Sequence, residues 1–139
     1  MRKYVILDVF TNQPLAGNPL AVVLDTQRLA AADMQAIAKE FNLSETVFVL
    51  PAQRDDHRAS LRIFTPRREL PFAGHPTIGT AILLAHLDHL ADGQEVSFVL
   101  QEKVGDIPCT VSREKEAYFA TFPLPITPRF EAVELDQDL

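Results

Sequence analysis

The sequence contains one cysteine, Cys109, and no tryptophan among its 139 residues. One thiol excludes an intrachain disulfide and any pair of catalytic cysteines within the chain. Lysine and arginine number 13 against 19 aspartates and glutamates, and they form no basic run. The resulting net charge of -6 argues against a nucleic-acid partner. The sequence shows neither a cleavable signal nor an apolar run long enough for a bilayer, so we expect a cytoplasmic protein without a membrane partner.

The composition is that of a folded domain, because 47% of the residues are hydrophobic and 23% are charged. A chain of this length can bury a substantial core. We predict one domain over residues 1–125. The chain from Pro123 onward holds three prolines and then acidic residues, which is typical of a linker, and we assign residues 126–139 to this tail.

Strand-like and helix-like patterns alternate along the first half of the chain. Met34, Ile37, Ala38 and Phe41 recur at helical spacing, which predicts an amphipathic surface helix over residues 33–41, stopped by Asn42 in a left-handed conformation. β-Branched and apolar runs predict strands at 3–10, 20–24, 45–50, 60–65, 95–100, 107–112 and 117–122. Turns are predicted at Gly105-Asp106 and Glu114-Lys115.

The stretch over residues 69–85, which reads ELPFAGHPTIGTAILLA, is the most informative part of the chain. Pro76 suits the first position of a helix, where its missing N–H is not needed. From Ile78 onward the segment has almost no polar face, which is typical of a helix buried in a core. Its free N–H groups, beside Gly74 and His75, would form a site for a carboxylate or another anion. The pattern as a whole predicts an α+β domain whose curled, mostly antiparallel sheet wraps a central helix, with one outer helix.

Glu45 is a candidate for proton transfer. It follows the Asn42-Leu43-Ser44 segment and opens a predicted strand, so it lies where a loop meets the core. A carboxylate that is poorly solvated there can exchange protons near neutral pH. A solvated glutamate at a strand end fits the same pattern, because exposed glutamates are common.

Other polar residues near the predicted helix start also have two interpretations. His75 either bonds a substrate or the proton-transfer residue, or caps the helix through a backbone carbonyl. Gly74 and Gly79 permit close approach of the backbone, either by a ligand or by packed neighbours. Asn18 is either a turn residue or directs its amide into the pocket. Asp8 is expected to hold a loop by accepting backbone N–H groups.

The remaining candidates favour structural roles. His86 and His89 lie three residues apart, but no third ligand has a matching spacing, so we interpret them as cap or surface histidines and predict no metal site. Cys109 is expected to be a small core hydrophobe.

Four sequence blocks, VFTNQPLAGNPLAVV, FNLSETVFV, RIFTP and ELPFAGHPTIGTA, resemble the phenazine-biosynthesis PhzF-like family, which has the diaminopimelate-epimerase type of fold. The resemblance runs from about residue 5 to the start of the tail, and the blocks occur in the family's order. It implies a cofactor-free isomerase, whose type reaction is the isomerisation of trans-2,3-dihydro-3-hydroxyanthranilate by a proton shift.

The resemblance also implies roles for residues. The glutamate of the NLSE block is the general acid/base, which is Glu45 here, and the GHP block places His75 and Gly74 in the substrate pocket. Related epimerases use two opposed cysteines, one of them just before this glycine. Ala73 occupies that position here, which favours a carboxylate over a thiol. Further substrate-binding candidates in or beside the blocks are Ser44, Asn18 and Pro76.

Members of this family usually have two similar domains with the active site between them, and this chain resembles only the first. In the family fold a terminal segment also returns to complete the sheet of the first domain, so the resemblance implies an exposed sheet edge here. A fragment, a split protein that pairs with a separate second-domain chain, and a homodimer are all compatible with the sequence. The expected partners are a small carboxylated substrate and the chain that completes the cleft. The alternative function is a non-catalytic half-domain that binds small carboxylates or oligomerises.

Overall fold

The computed structural model describes residues 2–127 and 129. It contains eight strands and two helices within these residues, all the strands belonging to one sheet. In chain order they are β1 (Tyr4–Val9), β2 (Asn18–Val23), α1 (Ala31–Phe41), β3 (Thr46–Leu50), β4 (Ala59–Phe64), β5 (Glu69–Leu70), α2 (Gly74–Leu87), β6 (Glu95–Glu102), β7 (Gly105–Glu114) and β8 (Ala117–Thr121).

The strands lie in the order β1-β2-β3-β4-β6-β7-β8, and the short β5 pairs with β4. Two neighbouring pairs, β2 with β3 and β4 with β6, are parallel, and the other pairs are antiparallel. Two parallel neighbouring strands must be joined by a crossover connection, and both crossover connections in this sheet contain a helix. Helix α1 connects the first pair and α2 connects the second.

Helix α1 is the predicted outer helix, and it lies against one region of the sheet. Met34 and Ala38 are buried from it against Val23, Phe48 and Phe64. The Asp33 carboxylate accepts the Ala30 N–H at 3.0 Å and so satisfies one free donor at the helix start. The helix ends at Asn42, whose φ of 51° and bond to the Ala38 carbonyl confirm the predicted left-handed stop.

Helix α2 is the predicted central helix. It contacts β1, β2 and β3 on one side and β7 and β8 on the other, so the sheet curls around it. Most of its residues are buried, including Thr80, Ala81, Leu84 and Ala85. The expected α+β class and the curled, mostly antiparallel sheet around a buried helix are confirmed.

Local boundaries differ from the predictions where strand pairing decides them. The turn expected at Gly105-Asp106 lies at residues 103–104, because Glu102 pairs with Gly105 and both glycine and aspartate belong to β7. The turn expected at Glu114-Lys115 lies one residue later, because Glu114 pairs with Ala117. Lys115 adopts the positive φ, 58°, that this tight connection requires.

Helix α2 also begins earlier than predicted. Ala73 is the N-cap and Gly74 the first helical residue, so Pro76 occupies the third position instead of the first. Its missing N–H still costs no helical hydrogen bond, because the first bond in the helix is from the Thr77 N–H to the Ala73 carbonyl. Neither helix in the described range is long and apolar enough to cross a membrane.

The division into residues 1–125 and 126–139 stays a prediction. Of the predicted tail, residues 128 and 130–139 lie outside the described part of the chain.

Candidate active site

Four element ends meet at one end of the sheet. The end of β1 lies beside the start of β2, because Val9 pairs with Asn18. The start of β3 lies at the same end, because Ala21 of β2 pairs in parallel with Thr46. The start of α2 joins them, since the rings of Phe10 and His75 lie 6.2 Å apart. This junction brings together residues that are far apart in the sequence.

Glu45 and His75 form the polar centre of this junction. His75 Nδ1 lies 2.9 Å from Glu45 Oε2, a hydrogen-bond distance. Glu45 directly precedes β3, and His75 is the second residue of α2. The side chains are only 20% and 9% exposed, so the bond lies at the margin of the core. The structure thus brings together the two residues predicted as catalytic, while their roles stay predictions.

The second nitrogen of His75 has no partner among the residues that the structure describes. Nε2 is buried and forms no hydrogen bond with the described residues. When Glu45 is ionised, its oxygen accepts a hydrogen from Nδ1, and in a neutral imidazole Nε2 is then an acceptor. The ring can therefore orient the Glu45 carboxylate through one edge and accept a donor through the other.

The start of α2 offers free backbone donors beside this pair. No side chain caps the helix among the described residues. Because Pro76 has no N–H, the free groups of the first turn are those of Gly74 and His75. They coincide with the positive end of the helix dipole, an arrangement that favours a bound anion.

The two glycines of the helix have different surroundings. A Cβ at Gly79 would lie 2.7 Å from Leu20 Cδ2 and 2.7 Å from Val9 Cγ2, so this glycine allows the helix to pack against the sheet. A Cβ at Gly74 would have Phe122 Cζ, at 3.6 Å, as its nearest neighbour. The space at Gly74 is not needed for packing among the described residues, and it leaves the helix start open to a ligand.

An exposed loop lies beside the site. Phe10 is 70% exposed and Leu15 is 95% exposed, and both have a φ of 64°, which is unfavourable for bulky residues. Asp8 Oδ2 accepts the Leu15 N–H at 2.8 Å, which confirms that Asp8 holds a loop. Gly17 closes the loop, because a Cβ there would lie 2.4 Å from the Val9 carbonyl oxygen.

The other predicted substrate-binding residues lie at the same end of the domain. Ser44 is exposed and directly precedes Glu45, and Asn18 is half-buried at the start of β2. Pro76 is buried in the first turn of α2. No hydrogen bond of the Ser44 or Asn18 side chain is found within the described residues, so their roles toward a substrate stay predictions.

The structure also reveals a buried acid that sequence reasoning missed. Glu102, the last residue of β6, is 5% exposed, and burial raises the pKa of its carboxyl from 4.5 to about 7. Glu102 continues the alternation of Val96, Phe98 and Leu100 on the inner face of β6. The predicted strand ended at residue 100, and extending it by two residues would have placed Glu102 on the buried face.

Cys109 and the two histidines near the end of α2 have the structural roles expected for them. Cys109 is 1% exposed in β7, and burial, together with the nearby Glu102, raises the pKa of its thiol to about 12. His86 and His89 are exposed, and His86 Nδ1 lies 3.1 Å from the Tyr118 hydroxyl.

Comparison with known proteins assigns the family. Residues 7–138 match the model of the family described as phenazine biosynthesis-like protein, PhzC-PhzF. The chain belongs to this family. An uncharacterized isomerase of Mesorhizobium japonicum is 53% identical over 137 residues, which are 99% of this chain and 44% of that protein. The trans-2,3-dihydro-3-hydroxyanthranilate isomerase of Pseudomonas aeruginosa is 45% identical over 114 residues, covering 82% of this chain and 39% of the enzyme.

A solved structure of a similar protein shares the fold. The structure titled as a predicted epimerase from Pseudomonas aeruginosa superposes with a TM-score of 0.77 and is 39% identical, covering 86% of this chain and 42% of that protein. The PhzF resemblance read from the four sequence blocks is therefore confirmed. The chain spans less than half the length of the relatives that it matches.

Proposed function

We propose that this chain provides one wall of a cofactor-independent, PhzF-type isomerase, which shifts a proton on a small carboxylated substrate such as a dihydro-hydroxyanthranilate. The observation that carries the proposal is the 2.9 Å contact between Glu45 and His75 at the open start of α2. The relatives named as trans-2,3-dihydro-3-hydroxyanthranilate isomerases support the reaction class.

Substrate binding would use the start of α2. The substrate carboxylate accepts hydrogen bonds from the Gly74 and His75 N–H groups, and the helix dipole favours its negative charge. The absent side chain of Gly74 leaves space for this approach. Bound in this way, the substrate lies beside the Glu45–His75 pair.

Proton transfer would use Glu45. His75 holds Oε2 of the ionised carboxylate, so Oε1 can take a proton from a substrate carbon. The electron pair of the broken C–H bond remains on the substrate and is delocalised toward its unsaturated system and its carboxylate, where the N–H donors stabilise the added charge. Glu45 then returns the proton to another carbon, so the reaction is an isomerisation and needs no oxidant or reductant.

The opposite wall of the cleft would come from another chain or segment. The exposed Phe10 and Leu15 form an apolar margin beside the site, which a second wall would cover. A second copy of this chain or a separate second-domain chain could supply that wall. Sedimentation measured over a range of concentrations tests this part, because turnover by a strict monomer would contradict the need for a second wall.

The experiment for the reaction uses trans-2,3-dihydro-3-hydroxyanthranilate in heavy water. We expect turnover with deuterium incorporated into the product. Glu45→Gln removes the proton acceptor but keeps the size of the side chain, so the rate should fall by roughly 10²–10⁴-fold. Glu40→Gln makes the same change at an exposed position of α1 and serves as the matched control, with turnover unchanged.

The same experiment addresses the alternative function. A non-catalytic half-domain would bind small carboxylates through Gly74 and His75 but exchange no substrate protons. The uncapped start of α2 and the open space at Gly74 support carboxylate binding in this alternative as well. Turnover that is unaffected by Glu45→Gln would remove Glu45 from the mechanism.

A further inference from the structure

Glu102 is a buried carboxyl group that the proposed reaction does not use. Its Oε1 lies 2.6 Å from the Thr77 hydroxyl oxygen, and its Oε2 is buried without a hydrogen-bond partner among the described residues. An ionised carboxylate in such a place would have one oxygen neither hydrated nor bonded, which is strongly unfavourable. A protonated carboxyl group suits the same place much better.

The hydrogen bonds of Thr77 point to the same protonation state. Its Oγ1 lies 2.8 Å from the Ala73 carbonyl oxygen as well as 2.6 Å from Glu102 Oε1. A carbonyl oxygen only accepts, so the single hydroxyl hydrogen of Thr77 is needed for Ala73. Both contacts are then hydrogen bonds only when Glu102 carries a proton and donates it to Thr77 Oγ1.

The charged groups around Glu102 do not compensate a negative charge on it. The next residue, Lys103, and Arg62 of β4 both direct their cations to Glu69, at 3.9 Å and 2.8 Å. From β7 the neighbouring titratable group is the Cys109 thiol, whose pKa is raised partly by Glu102 itself. On the side of α2, Glu102 faces Thr77, and the imidazole of His75 at the start of this helix is hydrogen-bonded to Glu45. Within the described residues Glu102 has no ion-pair partner.

This chain of bonds ends at the candidate site. Ala73 is the N-cap of α2, and the next two residues provide the free N–H groups proposed to bind the substrate carboxylate. We propose that Glu102 is a positioning residue that stays protonated up to the neutral range and, through Thr77 and Ala73, keeps the start of α2 in its anion-binding form. The effect on ligand binding depends on the proposed function, whereas the protonation state does not.

Ionisation of Glu102 would act on the site in two ways. The Thr77 hydroxyl would turn from the Ala73 carbonyl to the carboxylate, so the N-cap would lose a hydrogen bond. A negative charge would also appear next to the first turn of α2 and oppose an incoming anion. The affinity for carboxylates should therefore fall as the pH rises through the pKa of Glu102.

Binding of anthranilate, followed by its fluorescence, tests the ligand part. In the wild type we expect the affinity to fall by at least roughly fivefold between about pH 6 and about pH 8. The glutamine side chain in Glu102→Gln is neutral at every pH, and its amide can donate to Thr77. This variant should therefore bind anthranilate with the low-pH affinity of the wild type throughout the pH range. Glu102→Met has no donor and should bind more weakly at every pH. Equal pH profiles for the wild type and Glu102→Gln would overturn the proposal.

Substitution of Thr77 separates positioning from a general loss of stability. Thr77→Ser keeps the hydroxyl and should retain the wild-type pH profile. The similarly sized Thr77→Val removes the link and should reduce the fall in affinity to the part that comes from the Glu102 charge itself. If Thr77→Val kept the wild-type profile, Glu102 would not act through Thr77.

The protonation state is measured without any ligand. In protein labelled at the glutamate carboxyl carbons, one resonance should titrate near pH 7, disappear in Glu102→Gln and shift in Thr77→Val. If no such resonance exists, the proposal is wrong whether or not the isomerase reaction occurs. If it exists and the anthranilate profile behaves as described while turnover is absent, the proposal holds and only the proposed reaction fails.

Discussion

Substituting alanine for Gly79 and for Gly74 should have different effects. The first change should lower stability, and the second should weaken ligand binding. In Gly79→Ala the added methyl group would lie 2.7 Å from both Leu20 Cδ2 and Val9 Cγ2. Both neighbours are buried, and Val9 is β-branched and stiff, so the helix and the sheet must move apart. Overpacking of this kind costs about 1–3 kcal/mol, and the better helix propensity of alanine offsets about 1 kcal/mol. We expect a net loss of up to about 2 kcal/mol in the free energy of unfolding.

Gly74→Ala should have the opposite signature. The nearest atom to its methyl group, Phe122 Cζ at 3.6 Å, is at ordinary van der Waals distance. The free energy of unfolding should therefore change by less than about 0.5 kcal/mol. The methyl group would stand at the proposed anion site, however, and should weaken anthranilate binding by roughly tenfold, which is about 1.4 kcal/mol.

Urea denaturation of both variants, with an unchanged m-value as the check on two-state behaviour, measures the stability part, and fluorescence titration measures binding. Each variant serves as the control for the other. The reasoning fails if Gly74→Ala is as destabilising as Gly79→Ala, or if Gly74→Ala binds anthranilate as tightly as the wild type.

Three further predictions concern buried or bonded groups. Asp8→Ala leaves the Leu15 N–H without its acceptor and should cost about 1 kcal/mol, and hydrogen exchange at the Leu15 amide should accelerate; an unchanged exchange rate would refute this. The raised pKa of Glu102 means that, between pH 4.5 and about 7, the folded state holds a proton that the unfolded state releases. The free energy of unfolding, measured relative to Glu102→Gln, should therefore fall by roughly 3 kcal/mol over this pH range and stay level above it. Urea titrations that show no such fall would contradict this prediction. Cys109 should react with iodoacetamide at pH ~8 only after unfolding, because burial raises the pKa of its thiol to about 12, and rapid labelling of the native protein would disprove this.

The sequence predicted the architecture because hydrophobic periodicity and the apolar character of α2 are strong signals. The left-handed Asn42 and the loop-holding Asp8 could be read from local residue chemistry alone. The hairpin turns were placed one or two residues wrongly because their positions depend on pairing between strands, such as Glu102 with Gly105, and not on the preference of a single glycine.

The candidate site was also predictable from the sequence only in part. The residue patterns indicated Glu45 and His75 separately, but the 2.9 Å contact between them depends on how β3 and α2 meet across the fold. Glu102 was missed because an acid at the end of a strand is usually solvated, and its burial depends on the curl of the sheet over α2. His57 was not singled out from the sequence, yet its side chain is 1% exposed and its Nε2 lies 3.2 Å from Asp106 Oδ2 across the fold.

The enclosure of α2 by strands from both ends of the sheet has a consequence for how the protein folds. Strands β1 and β2 precede the helix in the sequence, and β7 and β8 follow it. The helix is fully buried only when all four strands have packed around it. Such distant pairings must be made together, which favours slow and cooperative folding. We therefore expect the proposed carboxylate-binding turn to form in the step that completes the core, so that anthranilate added during refolding binds only after that step.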